Sequence, residues 1–454
     1  MRPLYKELES LDKRACKLYG LDEIILMENA AIGLQKEILK KIESKKDRVL
    51  FICGPGNNGA DGIACARLIK NRCKVSIYLP YGVKSKLAIK QLEIAKALNI
   101  KIEKKLTKAQ IVIDAIFGSK ARELDIKSKE LIEKINKIDA HKIACDMPTG
   151  LGLGKTVFKA DTTVTMGALK ETLFLEEAKD FIGELKVASL GLPKEDYEIE
   201  SNSMVLEKKD LTLPFRNKEL THKGKFGHLV IIGGKMEGAS ILAAVAGFAF
   251  GAGLVSILTN KNTPPHIMKC DKIPLNSNVI VAGMGLGDRF NEEELRDILK
   301  DKVLVLDADM LKMELVKEYL NQKTVLTPHP KEFSYLLKHS GFGEISVKEI
   351  QANRFELARE FSEKSSAVLV LKGVNTIVAK DGKIYICPFG SNALSKGGSG
   401  DVLAGMIGSL LAQGYEIKEA AINGVLAHAL AAKKFSKNNY ALTPQDIIKE
   451  IKCL

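Results

Sequence analysis

Two glycine-rich segments each set an aspartate beside bare backbone amides: GPGNNGADG at 54–62, with Asp61, and KGGSGD at 396–401, with Asp401. Glycine permits positive φ and close backbone approach, and a helix that begins at such a segment offers unpaired N–H groups to an anion. A carboxylate beside that cradle can move a proton next to a bound phosphate. Around the first segment, Asn58 and Asp114 carry oxygen atoms suited to a hard monovalent or divalent cation. Asp146, in DMPTG, is the candidate for proton transfer, because burial in a cleft tunes a carboxylate's pKa. Around the second, Asp401 can take a proton from a hydroxyl as that hydroxyl attacks phosphorus. Lys372 and Gly373 end an apolar run, placed for a nucleotide phosphate or ribose, and His329 stands in a loop held by two prolines. Taken singly, each aspartate could be a turn or helix cap.

These residues need elements to position them. VLFIC (49–53), VSIYL (75–79), IVIDAIF (111–117), KIACD (142–146) and TTVTM (162–166) read as buried strands, with helices over 62–71, 84–98 and 127–138 between them. Such alternation predicts a parallel sheet covered on both faces, with ligands at the carboxyl ends of its strands. Asn57–Asp61, Asp114 and Asp146 all fall there. The pattern breaks over 190–224 and restarts with HLVIIGG (228–234), a small-residue helix at 239–250, and strands at 254–258, 278–283, 302–309, 324–329 and 367–373. A hairpin over 375–388 turns at Asp381-Gly382, helices follow from Asp401, and Thr443-Pro444 starts the last one. The expected architecture is α/β in two domains, 1–202 and 203–454.

Composition excludes several classes. The 454 residues are 46% hydrophobic, with no apolar stretch long enough to span a bilayer and no apolar leader behind MRPLYKELESLDKR, which suggests a cytoplasmic protein without a membrane partner. The eight cysteines form no CxxC or CxxH pair, so reduced thiols are expected rather than disulfides or zinc. A net charge of +13 raises nucleic-acid binding, but the lysines are dispersed and tryptophan is absent. The charge reads instead as solvated helix faces with attraction for anionic substrates.

MENAA (27–31), GPGNNGADG, DAIFG (114–118) and DMPTG (146–150) resemble, in order and spacing, the NAD(P)H-hydrate epimerase family, also called the YjeF N-terminal domain. The resemblance covers about residues 1–200. It implies a Rossmann-like three-layer parallel sheet and an isomerase that interconverts the R and S forms of hydrated NADH and NADPH (NADHX and NADPHX) with bound K+. Carried over by motif, substrate contacts fall on Asn57, Asn58, Gly59, Ala60, Asp61, Gly118, Ser119, Lys120, Ala121, Arg122, Glu123, Leu124 and Asp146. Potassium contacts fall on Asn58, Asp114 and Thr149. Ala60 stands where the family pattern has glycine, which is harmless only where φ is not positive.

HKGKFGHLVIIGG (222–234), GAS (238–240), GMGLG (283–287), LDAD (306–309), LTPHPKEF (326–333), LKGVNT (371–376) and GGSGDVLAG (397–405) resemble the NAD(P)H-hydrate dehydratase family, a relative of the ribokinase-type kinases. That resemblance implies a ribokinase-like α/β domain and a lyase: the S form is dehydrated to NAD(P)H with ADP, and Mg2+, converting ADP to AMP and phosphate. Substrate contacts carry over to Ala239, Gly285, His329 and Asp401, and nucleotide contacts to Lys372, Gly373, Val374, Asn375, Thr376 and Gly400. The joint expectation is a bifunctional enzyme, forming a homo-oligomer, with Asp146 and Asp401 catalytic. A vitamin or sugar kinase would share GGSGD without needing the first domain, and a non-catalytic nucleotide-binding or scaffold protein would not need Asp61, Asp114, Asp146 and Asp401 together.

Overall fold

The apolar runs form strands, most of them trimmed where glycine or a polar residue ends the run. The computed structural model describes residues 1–119 and 123–454. The chain divides into two units, Pro3–Ser201 and Asn202–Leu454, with Met1–Arg2 belonging to the second.

In the first unit seven strands lie in the order Lys101–Glu103, Lys74–Tyr78, Arg48–Cys53, Ile111–Ala115, His141–Cys145, Thr162–Met166 and Glu184–Ala188. Every neighbouring pair is parallel. Val49, Phe51 and Cys53 feed one apolar cluster while Leu50 and Ile52 feed another, so both faces of the sheet are covered. This is the Rossmann-like three-layer arrangement. Chain direction across the sheet reverses between Arg48–Cys53 and Ile111–Ala115, and the crevice at such a reversal is where open parallel sheets bind ligands.

The second unit carries its own α/β sheet. Met268–Cys270, Leu254–Leu258, His228–Ile232, Val279–Ala282, Val303–Leu306, Thr324–Leu326 and Val368–Leu371 are parallel neighbours in that order. The antiparallel hairpin Thr376–Lys380 and Lys383–Cys387 follows. Asp381 (φ 51°) and Gly382 (φ 72°) are both left-handed there, the requirement of a tight two-residue turn. The reversal lies between His228–Ile232 and Val279–Ala282. Their loops meet so closely that a Cβ on Gly234 would fall 2.0 Å from the Gly285 carbonyl oxygen.

Both glycine segments differ from the expected turns in one respect. The helix expected from Gly62 runs Asn57–Ile69, and the second runs Ser399–Ala412, so Asn57–Asp61 and Asp401 are themselves helical. Gly56, extended at φ −98° and ψ −161°, is the first cap, and its carbonyl accepts from Ala60 N at 3.2 Å. Ala60 is therefore ordinary helix, and its methyl joins the core. In the second unit the small-residue run forms the helix Glu237–Ala249. A Cβ on Gly405 would come 2.0 Å from Ala243 O, so the small residues serve close helix approach.

Candidate active sites

At the reversal point of the first unit lies a cleft of about 900 Å3 whose lining includes Asn57, Asn58, Asp61, Gly118, Asp146 and Lys170. Asp146 follows the strand His141–Cys145 and holds φ +72°, a left-handed conformation that aspartate adopts at some cost. Three bonds keep it there. Its N–H donates to Val164 O at 2.8 Å, and its Oδ1 accepts from Met166 N at 3.3 Å and from Lys170 Nζ at 2.5 Å. Lys170, whose side chain is only 2% exposed, also donates to Thr165 Oγ1 at 2.8 Å. A buried ammonium needs such a partner. Asp61 lies in the same cleft. Burial lifts its carboxyl well above the usual range, Asp146 and Asp12 add to the rise, and Lys170 opposes it. The cleft thus contains one carboxyl whose charge burial disfavours and a second one paired to a buried ammonium.

The loop after Ile111–Ala115 divides. Gly118 and Ser119 line the cleft, and a Cβ on Gly118 would stand 3.1 Å from Asp146 Oδ2 and 3.5 Å from Asn58 Cβ. Lys120, Ala121 and Arg122 lie outside the described residues. Glu123 is exposed with its Oε1 3.7 Å from Lys129, and Leu124 packs in the core. Gly59 and Ala60 are buried beneath Asn57 and Asn58, so they shape the helix start from below. Glu28 of MENAA is tied to Arg67 Nη2 at 2.5 Å and Gln91 Nε2 at 3.0 Å, while Met27 and Ala30 of the same motif line the cleft.

A cation fits the donors present. Asp114 is fully buried; its Oδ1 accepts from Thr149 Oγ1 at 2.7 Å and Ile116 N at 3.1 Å, and its Oδ2 from Thr149 N at 2.8 Å. Burial still raises its pKa to about 6 against those bonds. Among the described residues no side-chain cation pairs with it. Both polar atoms of the Asn58 amide are buried and without a hydrogen-bond partner. An uncompensated carboxylate, a hydroxyl and an unsatisfied amide on adjoining elements are the oxygen donors that a hard monovalent ion uses.

In the second unit the charges concentrate around Lys372. Its Nζ sits 2.7 Å from Asp307 Oδ1 and 3.7 Å from Glu332 Oε2. Burial works against its charge, yet Asp307 and Glu332 together hold its pKa above the ordinary value. A Cβ on Gly400 would lie 3.4 Å from Lys372 Nζ and 3.7 Å from Asp307 Oδ2, which places the Ser399–Ala412 helix start against this cluster. Asp401, on that first turn, has its pKa raised to about 6, by burial first, then by Asp307 and Glu332, with Lys372 opposing. Arg354 Nη2 donates to the carbonyls of Leu371 and Lys372, and Thr376 Oγ1 to Gly373 O at 2.9 Å, so 371–376 is braced as a loop. Val374 and Asn375 form the turn of that loop after a bend at Gly373, and Asn375 is buried.

His329 caps the helix Pro330–His339. Its Nδ1 accepts from Lys331 N at 3.1 Å and Glu332 N at 3.2 Å, and its Nε2 lies 3.2 Å from Glu332 Oε1. Both ring nitrogens are committed, leaving the half-exposed ring face for a ligand. Gly285 (φ +57°) accepts from Met236 N, three residues before Ala239, at the mouth of the reversal crevice. Gly398 contacts Leu242 and Gly405 approaches Ala243, so the helices of Ala239 and Asp401 run side by side in the same direction. No group of three or more His, Cys, Asp or Glu suited to a metal occurs among the described residues.

Sequence reading missed Lys170, Asp307 and Glu332. The last two stand inside motifs already singled out, LDAD and TPHPKEF, whereas Lys170 follows the apolar stretch Met166–Leu169 and sits beside Glu171, with no local pattern to mark it.

Two family models match the chain: one described as NAD(P)H-hydrate dehydratase over residues 229–453, the other as YjeF-related protein N-terminus over residues 23–172. The bifunctional NAD(P)H-hydrate repair enzyme Nnr of Helicobacter pylori is 40% identical over 472 residues, covering 100% of each chain. The protein of the same name from Coxiella burnetii is 34% identical, covering 94% of this chain and 93% of its own. Among solved structures, an ADP/ATP-dependent NAD(P)H-hydrate dehydratase from Bacillus subtilis, co-crystallized with ATP/Mg2+, is 26% identical with a TM-score of 0.47, covering 55% of this chain and 96% of that one. The second unit, with its parallel-sheet α/β fold, is the part that the NAD(P)H-hydrate dehydratase model matches. With likeness running the full length of both units, the chain belongs to the bifunctional NAD(P)H-hydrate repair enzyme family.

Proposed function

We propose that the unit Pro3–Ser201 epimerises R- and S-NAD(P)HX and that the unit Asn202–Leu454 dehydrates the S form with ADP, yielding NAD(P)H, AMP and phosphate. The observation that carries this reading is the repeated design of two unlike sites. Each sets a glycine-led helix start beside an aspartate of raised pKa and a lysine–aspartate pair.

In the first site the C6 hydroxyl of the hydrated ring is the reacting group. Asp61, protonated, gives its proton as that hydroxyl leaves as water. Asp146, positioned by its pairing with Lys170, takes a proton from the water that adds to the other face. The bond broken and the bond formed are both C6–O, so the step is redox-neutral and runs in either direction. Asn58, Asp114 and Thr149 would hold K+, which supplies fixed positive charge beside the substrate. Substrate contacts fall on Asn57, Asn58, Asp61, Gly118, Ser119 and Asp146.

In the second site Asp401 accepts the proton of the C6 hydroxyl while its oxygen attacks the β-phosphorus of ADP, and AMP departs. Phosphate then leaves C6 as a proton leaves C5, restoring the ring double bond. The N–H groups at the start of Ser399–Ala412 stabilise the phosphoryl group in transit. Lys372–Thr376 and Gly400 contact the nucleotide, and Ala239, Gly285 and His329 the dinucleotide. Mg2+ would be carried on the nucleotide phosphates.

The test supplies NADHX with ADP or ATP and follows the absorbance of the reduced nicotinamide. Recovery with ADP, abolished in Asp401→Asn while R and S forms still interconvert, is the expected result. No recovery with either nucleotide would favour a small-molecule kinase, and loss of both activities together in folded D401N would remove the two-site reading.

A further inference from the structure

The turn that starts the helix Ser399–Ala412 is held from behind by a residue with no part in the chemistry so far. His428, on the helix Ile417–Lys434, places Nε2 3.2 Å from Ser399 Oγ and 3.1 Å from the Ser399 carbonyl oxygen. A carbonyl can only accept, so Nε2 carries the proton and the imidazole is a fixed donor. Burial keeps the ring neutral, lowering its pKa to about 4 against the bond to Ser399. At 7% exposure the ring is shielded from solvent, and its bonds reach the site only through Ser399.

Ser399 is flanked by glycines on both sides. Gly398 holds φ +89°, and Gly397 and Gly400 have no side chain with which to anchor the turn. Such a segment has little intrinsic stiffness, and ordering it costs more backbone entropy than ordering any other residue type. Yet a phosphoryl-transfer site needs its donors fixed before the reaction begins. Among the described residues the side-chain hydrogen bonds to Ser399 come from one imidazole, and Ser399 directly precedes Gly400 and Asp401 on the first turn of the helix.

We propose that His428 is a positioning residue for dehydration: through Ser399 it fixes the first turn of the helix, and with it the anion-binding amides and Asp401. The proposal rests on reading Ser399–Asp401 as the phosphoryl-transfer site, and the experiment separates the two. In the full-length chain, kcat and KM for ADP and S-NAD(P)HX are measured in His428→Leu, His428→Gln, Ser399→Ala and the double variant S399A/H428L, with D401N alongside and epimerisation as the internal reference.

His428→Leu should lower kcat for dehydration about 10- to 100-fold, the effect of a small misplacement of a catalytic constellation. Its KM for ADP should stay within about threefold, and epimerisation should be retained. His428→Gln, which can return an N–H toward Ser399, should recover most of kcat. The double variant should be no slower than His428→Leu, because both changes break one connection. A purely structural histidine would lower Tm and the folded fraction while leaving kcat per folded molecule unchanged. That outcome, or additive losses in the double variant, would overturn the proposal and leave the phosphoryl site standing. D401N that still dehydrates would instead overturn the underlying reading. Should His428→Leu not fold, His428→Asn, too short to reach Ser399, is compared with His428→Gln, and equal kcat in the two overturns the proposal.

Discussion

Replacing Lys170 by methionine removes the charge that faces Asp146 while keeping most of the side-chain volume. At the 2.5 Å separation of the pair, Coulomb attraction at an effective dielectric of 20 amounts to about 6–7 kcal/mol. Desolvating the ammonium offsets much of that. Breaking a buried pair leaves the partner unpaired, at a cost of about 3–5 kcal/mol. Asp146 keeps 13% of its side-chain exposure, so about 3 kcal/mol, the low end, is expected. For a unit of this size that corresponds to a fall in Tm of about 6–12 °C. The kinetic effect should exceed the structural one. Without Lys170, Asp146 loses the partner that holds it in place as a base, and losing a positioned base costs about 100- to 10,000-fold. The assay follows separated R and S forms of NADHX over time, with ADP-dependent recovery of NADH from pure S form as the reference activity. A Lys170→Met protein that epimerises within about threefold of the parent, while folded, would refute the acid–base assignment.

Dehydration should show an acid limb near pH 6, because Asp401 must be ionised to accept a proton and its pKa is raised to about 6. Lys372 is the group that opposes that rise, so Lys372→Met should move the limb to higher pH in a kcat/KM profile; a shift to lower pH would contradict the cluster. Adding K+ should raise the Tm of the parent, by about 1.4 kcal/mol of stabilisation at ten times Kd, and Asn58→Ala should reduce that response relative to a large organic cation. Gly405→Ala should destabilise by about 1–3 kcal/mol in chemical denaturation, since its Cβ would meet Ala243 O at 2.0 Å and pry two helices apart.

Much of this molecule is legible in its sequence because the relevant physics is local. Val and Ile runs bounded by glycine mark the strands, Asp381-Gly382 marks a turn needing two left-handed residues, and Thr443 with Asp446 forms the capping box the sequence suggests. The glycine segments and their aspartates were visible in the same way. Where Asn57–Asp61 lie within the helix was not, since asparagine and glycine favour turns locally and only the cap at Gly56 with the buried Ala60 draws them into helical conformation.

The sequence by itself determined the two α/β units and the aspartates at strand ends and helix starts. Tertiary structure alone decided what each aspartate faces. Lys170 lies 24 residues from Asp146, on a two-residue strand that exists by pairing with Leu4 and Tyr5. Lys372 reaches Asp307 across 65 residues, and His428 reaches Ser399 across 29. A carboxylate's pKa depends on burial and on charges within a few ångströms, and those neighbours are assembled by long-range packing that no local pattern encodes.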